Sequence, residues 1–297
     1  MCLEYVTGWV AFYSPINVIV MPFIGNAGRF NHVYMAELNQ DNTKKTTSTP
    51  PTSVNYNFNE ITIGKDAGKT DQGENAIAVG SKSGFLKQGA RSVAVGYHAG
   101  NTSQGAESVA VGQECGEIDQ NTQSVAIGYR SGQSNQGAQS LAVGFESGQV
   151  IQGTQSIALG FQAGQSNQGS QSIAVGYKCG EFGQNVQSVA IGYQAGQSNQ
   201  NTESVAIGYQ CGRTSQSSQS VAVGSEAGET DQGRQCVAIG YLAAQSNQDE
   251  QSVAIGTRAG NTSQGSSSVA IGVQAGKEGQ NAWCTACLLY TSPSPRD

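Results

Sequence analysis

The chain has 297 residues, a net charge of −6 and a pI near 5.0, which leaves no basic stripe for nucleic acid or anionic lipid. Gly supplies 40 residues, nearly twice its usual share of about 7%. Charged residues are 12% where about 25% is ordinary, the profile of a repetitive, turn-rich polar chain.

Residues 1–36 stand apart. Their stretch "VTGWVAFYSPINVIVMPFIG" is apolar, but Gly8, Pro15, Asn17 and Pro22 interrupt it and no Lys or Arg precedes it. That makes a poor secretion signal and a poor membrane span, so the segment is expected to be irregular. Residues 37–59 contain "NQDNTKKTTSTPPTSVN" and read as a polar linker or a cap on the first coil of a repeat array.

From residue 60 to 282 the chain repeats every sixteen residues. The glycine of "AIG" recurs fourteen times without insertion, from Gly64 through Gly96, Gly128 and Gly192 to Gly272. One and three residues before it stand branched or linear aliphatics, among them Val93, Val95, Val125, Ile127, Val189, Ile191, Val205 and Ile207. Residues two apart share one face of a strand, so these are predicted to form the core. Between them stands Ala in thirteen copies, including Ala94, Ala126, Ala190 and Ala206, with Thr62 the exception. A water-facing column would accept many residue types, so the alanines are predicted to pack closely against a neighbouring chain.

A second glycine follows four residues on, as at Gly100 and Gly196 beside Gly96 and Gly192, and Gln follows it by four in every copy. The next residue is usually Gly, Asn or Asp, as at Gly137, Asn201 and Asp249, which predicts a left-handed turn there. Two short strands and two corners make one flattened coil. The fold class is therefore all-β: a parallel β-solenoid of fourteen sixteen-residue coils, stacked about 4.8 Å apart into a rod of roughly 60 to 70 Å. Helix is excluded, since paired-helix repeats need periods of about 33 residues or more. The glutamines Gln104, Gln136, Gln168 and Gln200 either form an amide ladder up the side of the rod or cap their own turns.

A weaker 32-residue period alternates Leu86, Ile118, Val150 and Phe182 with Thr102, Ser134, Ser166 and Ser198. Duplication of a two-coil unit or an apolar row for a partner would each produce it. Residues 283–297 hold a truncated repeat, and "CLLYTSPSPRD" from Cys287 to Asp297 resembles a translated sequencing adapter, so it is set aside as a fusion scar would be.

The motif "SVAIGYQA", with variants "SVAVGYHA", "SIALGFQA" and "SVAIGYRS", resembles the repeat of YadA-like trimeric autotransporter adhesin heads over Glu60 to about Ala282. The resemblance implies a left-handed parallel β-roll, three chains side by side, and adhesion to host surfaces, extracellular-matrix proteins or glycans. Here Gln or Glu precedes the motif serine, as at Gln187 and Glu203, where bacterial heads often carry Asn. Similar arrays occur in fibres of phages and large viruses.

Catalytic and cofactor chemistry finds little to use. His32 and His98 are the only histidines, and His98 falls in a variable column where a solvated side chain is expected. Phosphate loop, nucleophile elbow, zinc motif and calcium nonapeptide are all missing from the sequence. Neither catalysis nor a cofactor or metal is expected. Cys115, Cys179 and Cys211 fill a slot that otherwise holds Ala or Ser, as small hydrophobes two or more coils apart, too far to bridge. They would meet their equivalents only if that slot faced a trimer axis. Eight aromatics follow the strand glycine, from Tyr97 to Tyr241, and are expected to stack between coils.

The expectation is an adhesin or fibre head module outside a cell or on a virion, a homotrimer whose array neither enters a membrane nor binds nucleic acid. A structural spacer is the second reading. An ice-binding solenoid is a third, although the threonines at Thr70, Thr102, Thr214, Thr230 and Thr262 form an interrupted column.

Overall fold

A computed structural model of the protein describes residues 60–287 and, nearer the N terminus, the strands Tyr5–Val6, Trp9–Tyr13 and Val18–Pro22. These three strands form an antiparallel sheet with Trp9 opposite Pro22 and Tyr13 opposite Val18. Part of the segment expected to be irregular is thus regular. Pro15 and Asn17 lie between the second and third strands in sequence, where they punctuate two apolar runs rather than break one. The linker at 37–59 and the tail at 288–297 fall outside the described residues.

The array forms a parallel β-solenoid of about fourteen coils with no helix among the described residues. The motif strands, from Ile61–Ile63 to Thr285–Cys287, make one sheet of 15 strands, and the strands from Thr70–Gln72 to Thr262–Gln264 make a second of 13. Every neighbour is parallel and offset by one repeat, as Val109 pairs with Val125 and Gln120 with Gln136. The backbone bonds run coil to coil: Val125 N–H donates to Ser140 at 2.9 Å, and Gly128 N–H reaches back to Val111 at 2.9 Å. Each coil therefore completes its main-chain bonding on the coils above and below it.

The corners are turned by positive φ. One coil carries it at Gly96 (133°), His98 (56°), Gly100 (53°), Ser103 (56°) and Glu107 (59°), and the pattern recurs up the array. At Gly96 only glycine serves, because that φ is closed to other residues and a methyl there would collide with the carbonyl of Gly112 in the next coil. Gly192 repeats this arrangement against Gly208, and Gly196, like Gly100, turns the second corner at 52°. The three non-glycine columns each cost about 1–2 kcal/mol per residue. They keep their coil-to-coil bonds, as His98 N–H donates to Ser81 at 3.1 Å. The column after the glutamine does not have positive φ as the sequence suggested at Gly137, Asn201 and Asp249. Small residues stand there because coils approach closely: a methyl on Gly137 would meet the carbonyl carbon of Gly153 at 2.5 Å.

Inside and outside are the reverse of the expectation. Ala94, Ala126, Ala190 and Ala206 are fully buried within the coil, so they are not an interface with another chain. The predicted core residues Val93, Val95, Val125, Val189 and Val205 are half-buried on the outer face, and Ile127, Ile191 and Ile207 stand there with 39%, 36% and 38% of their surface exposed. The reason is the width of the coil. Two three-residue strands joined by tight corners enclose room for methyls, hydroxyls and one amide: the Ala94 methyl would lie 3.2 Å from a methyl placed on Gly100 across the lumen. A branched aliphatic on that side would overfill it.

Candidate functional site

The lumen is lined by the buried alanines, the motif serines, the Ala, Ser or Cys column and the glutamines. Gln104, Gln136, Gln168 and Gln200 lie inside the rod and not along its side. Each spans its own coil from the second sheet to the first: Gln136 Nε2 donates to the Val125 carbonyl at 2.9 Å, and Gln200 Nε2 to Val189 at 2.8 Å. Some also touch the next coil, as Gln168 Nε2 donates to Gln184 Oε1 at 3.3 Å and Gln184 to Gln200 at 3.2 Å. The ladder is partial and lumenal, some glutamines also cap their own turn, as Gln200 Nε2 donates to the Ser204 carbonyl at 3.3 Å, and the strut across the lumen is the constant feature. The motif serines close a corner, as Ser124 Oγ donates to the Asn121 carbonyl at 2.6 Å.

Cys115, Cys179 and Cys211 are free thiols with no accessible surface, and so is Cys236, which replaces a motif serine. Burial pushes Cys115 and Cys211 up to about 12 and Cys179 up to about 11. The slot faces the lumen, so these thiols cannot meet those of another chain.

Four columns dominate the exterior. The first is aliphatic, the outward Val and Ile of the motif sheet. The second is aromatic: Tyr129, Phe145, Phe161, Tyr177, Tyr193 and Tyr209 stack in sequence with centroids 4.9 to 5.2 Å apart. At Tyr177, Tyr193 and Tyr209 the strands Ile173–Tyr177, Val189–Tyr193 and Val205–Tyr209 lengthen to five residues, and the tyrosines pair in register. The third is an exposed amide ladder that the sequence reading did not assign. Gln139 donates to Gln123 at 3.2 Å, Gln155 to Gln139 at 3.1 Å, Gln171 to Gln155 at 3.2 Å and Gln187 to Gln171 at 3.2 Å. Its signal was the Gln or Glu before most motif serines. The fourth is a shorter ladder in which Gln133 donates to Glu117 at 2.8 Å, Gln149 to Gln133 at 3.0 Å and Gln165 to Gln149 at 3.1 Å.

Charges gather beside the aromatic column. Arg130 Nε meets Glu114 Oε2 at 2.8 Å, its guanidinium lying 4.9 Å from the Tyr129 ring centroid. The hydrogen bond from Arg130 and then that from Gln113 hold the Glu114 carboxyl below its usual range. His98 is not freely solvated as expected, for its ring stacks on Tyr97 at 4.2 Å and Nδ1 lies 3.2 Å from Glu117 Oε1. Among the described residues no three His, Cys, Asp or Glu side chains gather closely enough to hold a metal. A shallow depression of about 300 Å³ is lined by Thr202, Glu203, Ser218, Gln219 and Arg234.

Fold and surface define a parallel β-solenoid repeat protein whose side chains are ordered in columns. No protein-family profile, curated protein or solved structure matches the chain.

Proposed function

We propose that the array is the head or shaft of a homotrimeric surface fibre, outside a cell or on a virion, that attaches to a host surface, matrix protein or glycan through its repeated exterior columns. The observation that carries this reading is the outward aliphatic column. Outward Val, Ile and Leu run along the motif sheet, the valines half-buried and Ile127, Ile191, Ile207 and Ile255 exposed, and a contiguous apolar patch of more than a few hundred Å² marks an association surface. Covering it with other copies of the chain satisfies every coil at once, because all copies share the sixteen-residue register. Three is the number that the resemblance to YadA-like heads implies, and left-handed winding comes from the same source. In this reading the interface is formed by the aliphatics instead of the alanines.

No catalysis and no cofactor enter this reading. Attachment would be distributed over columns. The test is binding of the full chain to plates coated with collagen, fibronectin or mixed glycans, with and without substitutions in the exposed amide ladder such as Gln155→Lys and Gln171→Lys. Saturable binding that the substitutions abolish supports an adhesin. A spacer would bind none of the coats while remaining trimeric.

A further inference from the structure

The aromatic column has two gaps of the same form, seven coils apart. At the first, Gln113 stands between Tyr97 and Tyr129; at the second, Ser225 stands between Tyr209 and Tyr241. Three residues beside each gap match. Glu114, Glu117 and Gln133 at the first correspond to Glu226, Glu229 and Gln245 at the second. The hydrogen bonds match as well: Gln133 Nε2 reaches Glu114 at 3.5 Å and Glu117 at 2.8 Å, while Gln245 Nε2 reaches Glu226 and Glu229, each at 3.0 Å.

One part differs. At the first gap the chain supplies its own guanidinium, Arg130, stacked over Tyr129 and paired with Glu114. At the second the corresponding residue is Leu242, and Gln210 stands where His98 does. Arg213 pairs with Glu229 at 2.8 Å, but among the described residues no cation pairs with Glu226. Tyr209 and Tyr241 are both exposed.

We infer that the Ser225 gap is a binding site for an arginine side chain of a partner protein, received between Tyr209 and Tyr241 with its guanidinium paired to Glu226. Two ladder steps separate those rings, roughly 10 Å at the spacing of coils. A planar group midway lies about 5 Å from each centroid, within the range of offset stacking. Guanidinium suits the site because it is planar, permanently charged and able to lie flat between two rings while pairing, whereas an ammonium is a compact point charge that cannot stack face to face. The acidic chain, at −6, favours a basic partner. The site stands whether the rod is an adhesin or a spacer.

The test uses the full chain labelled with 3-fluorotyrosine, its Tyr209 and Tyr241 signals assigned by Tyr209→Phe and Tyr241→Phe. Fluorine NMR then follows titration with an acetylated, amidated Gly-Arg-Gly peptide and with its lysine counterpart. The site predicts saturable shifts at these two tyrosines, several-fold weaker binding of the lysine peptide, and about tenfold weaker arginine binding in Glu226→Gln. Leu242→Arg should shift Tyr241 without peptide and remove the response, since an arginine there can lie over Tyr241 and pair with Glu226 as Arg130 does with Tyr129 and Glu114. Equal response to both peptides, shifts spread evenly over all tyrosines, or no shift at all would overturn the inference. Glu226→Gln changes only a surface charge, so it decides the matter even where Leu242→Arg fails to fold.

Discussion

Gln136 donates its side-chain amide to the carbonyl of Val125 at 2.9 Å, crossing the lumen of a single coil from one sheet to the other. The Val125 N–H is already committed to Ser140 in the next coil, so the strut joins bonding within a coil to bonding between coils. Removing the amide leaves a buried carbonyl short of a partner, at a cost of about 1–3 kcal/mol, with a void added if the side chain is shortened. Gln136→Leu is expected to lower the unfolding free energy obtained from urea titration by that amount and to speed amide exchange in its own and adjoining coils. Gln139→Ala, in the exposed ladder, should change stability by no more than about 0.5 kcal/mol.

The reversal of inside and outside gives a paired prediction. Ala126→Val places two extra methyls in a filled lumen and should destabilise the fold by about 1–3 kcal/mol or more. Ile127→Thr, next to it in sequence but outward, should leave the circular dichroism of the fold unchanged and act on association instead. A thermal melt of each variant checks both, and equal losses of folded structure would contradict the assignment of faces.

The lumenal thiols should be inert. Cys115, Cys179, Cys211 and Cys236 are expected to resist a disulfide reagent at pH 8 until the chain is denatured, while the exposed Cys284 and Cys287 react at once.

The same thiols tie stability to alkaline pH. Burial raises Cys115 and Cys211 to about 12 and Cys179 to about 11, above the unfolded value near 9. Folded chains therefore hold protons that unfolded chains release. The contribution is complete below pH 9 and is lost as pH climbs toward those raised values. Urea midpoints measured from pH 8 to 11 should fall less steeply in a variant with all three cysteines changed to Ala than in the parent chain.

Period decided most of what was legible in the sequence. An unbroken spacing from Gly64 to Gly272 is enough to fix coil length, strand placement and parallel stacking, and the slot shared by Cys115, Cys179 and Cys211 was rightly read as small and buried. Direction was not legible. Alternation along "SVAIG" says that Val125 and Ile127 face opposite to Ala126, but which side is the lumen depends on the width left between two corners, a property of the closed coil. The usual inference that large aliphatics lie inside fails when the interior is narrower than they are. Gln136 was misplaced for the same reason, since a polar column reads as surface until its amide is seen to span the lumen. The Arg130 and Glu114 pair, sixteen residues apart, follows from the period, but the likeness of the two gaps needed the aromatic stack to be in view.

Assembly into a fibre requires that the outward aliphatic column be covered by other copies of the chain. Sedimentation equilibrium of the full chain measures this directly, alongside the variant Ile191→Lys with Ile207→Lys. The prediction is a particle of three times the 30.7 kDa protomer mass for the parent and a folded monomer for the variant. A parent chain that stays at one protomer mass at tens of micromolar, its aliphatics open to water, would contradict it.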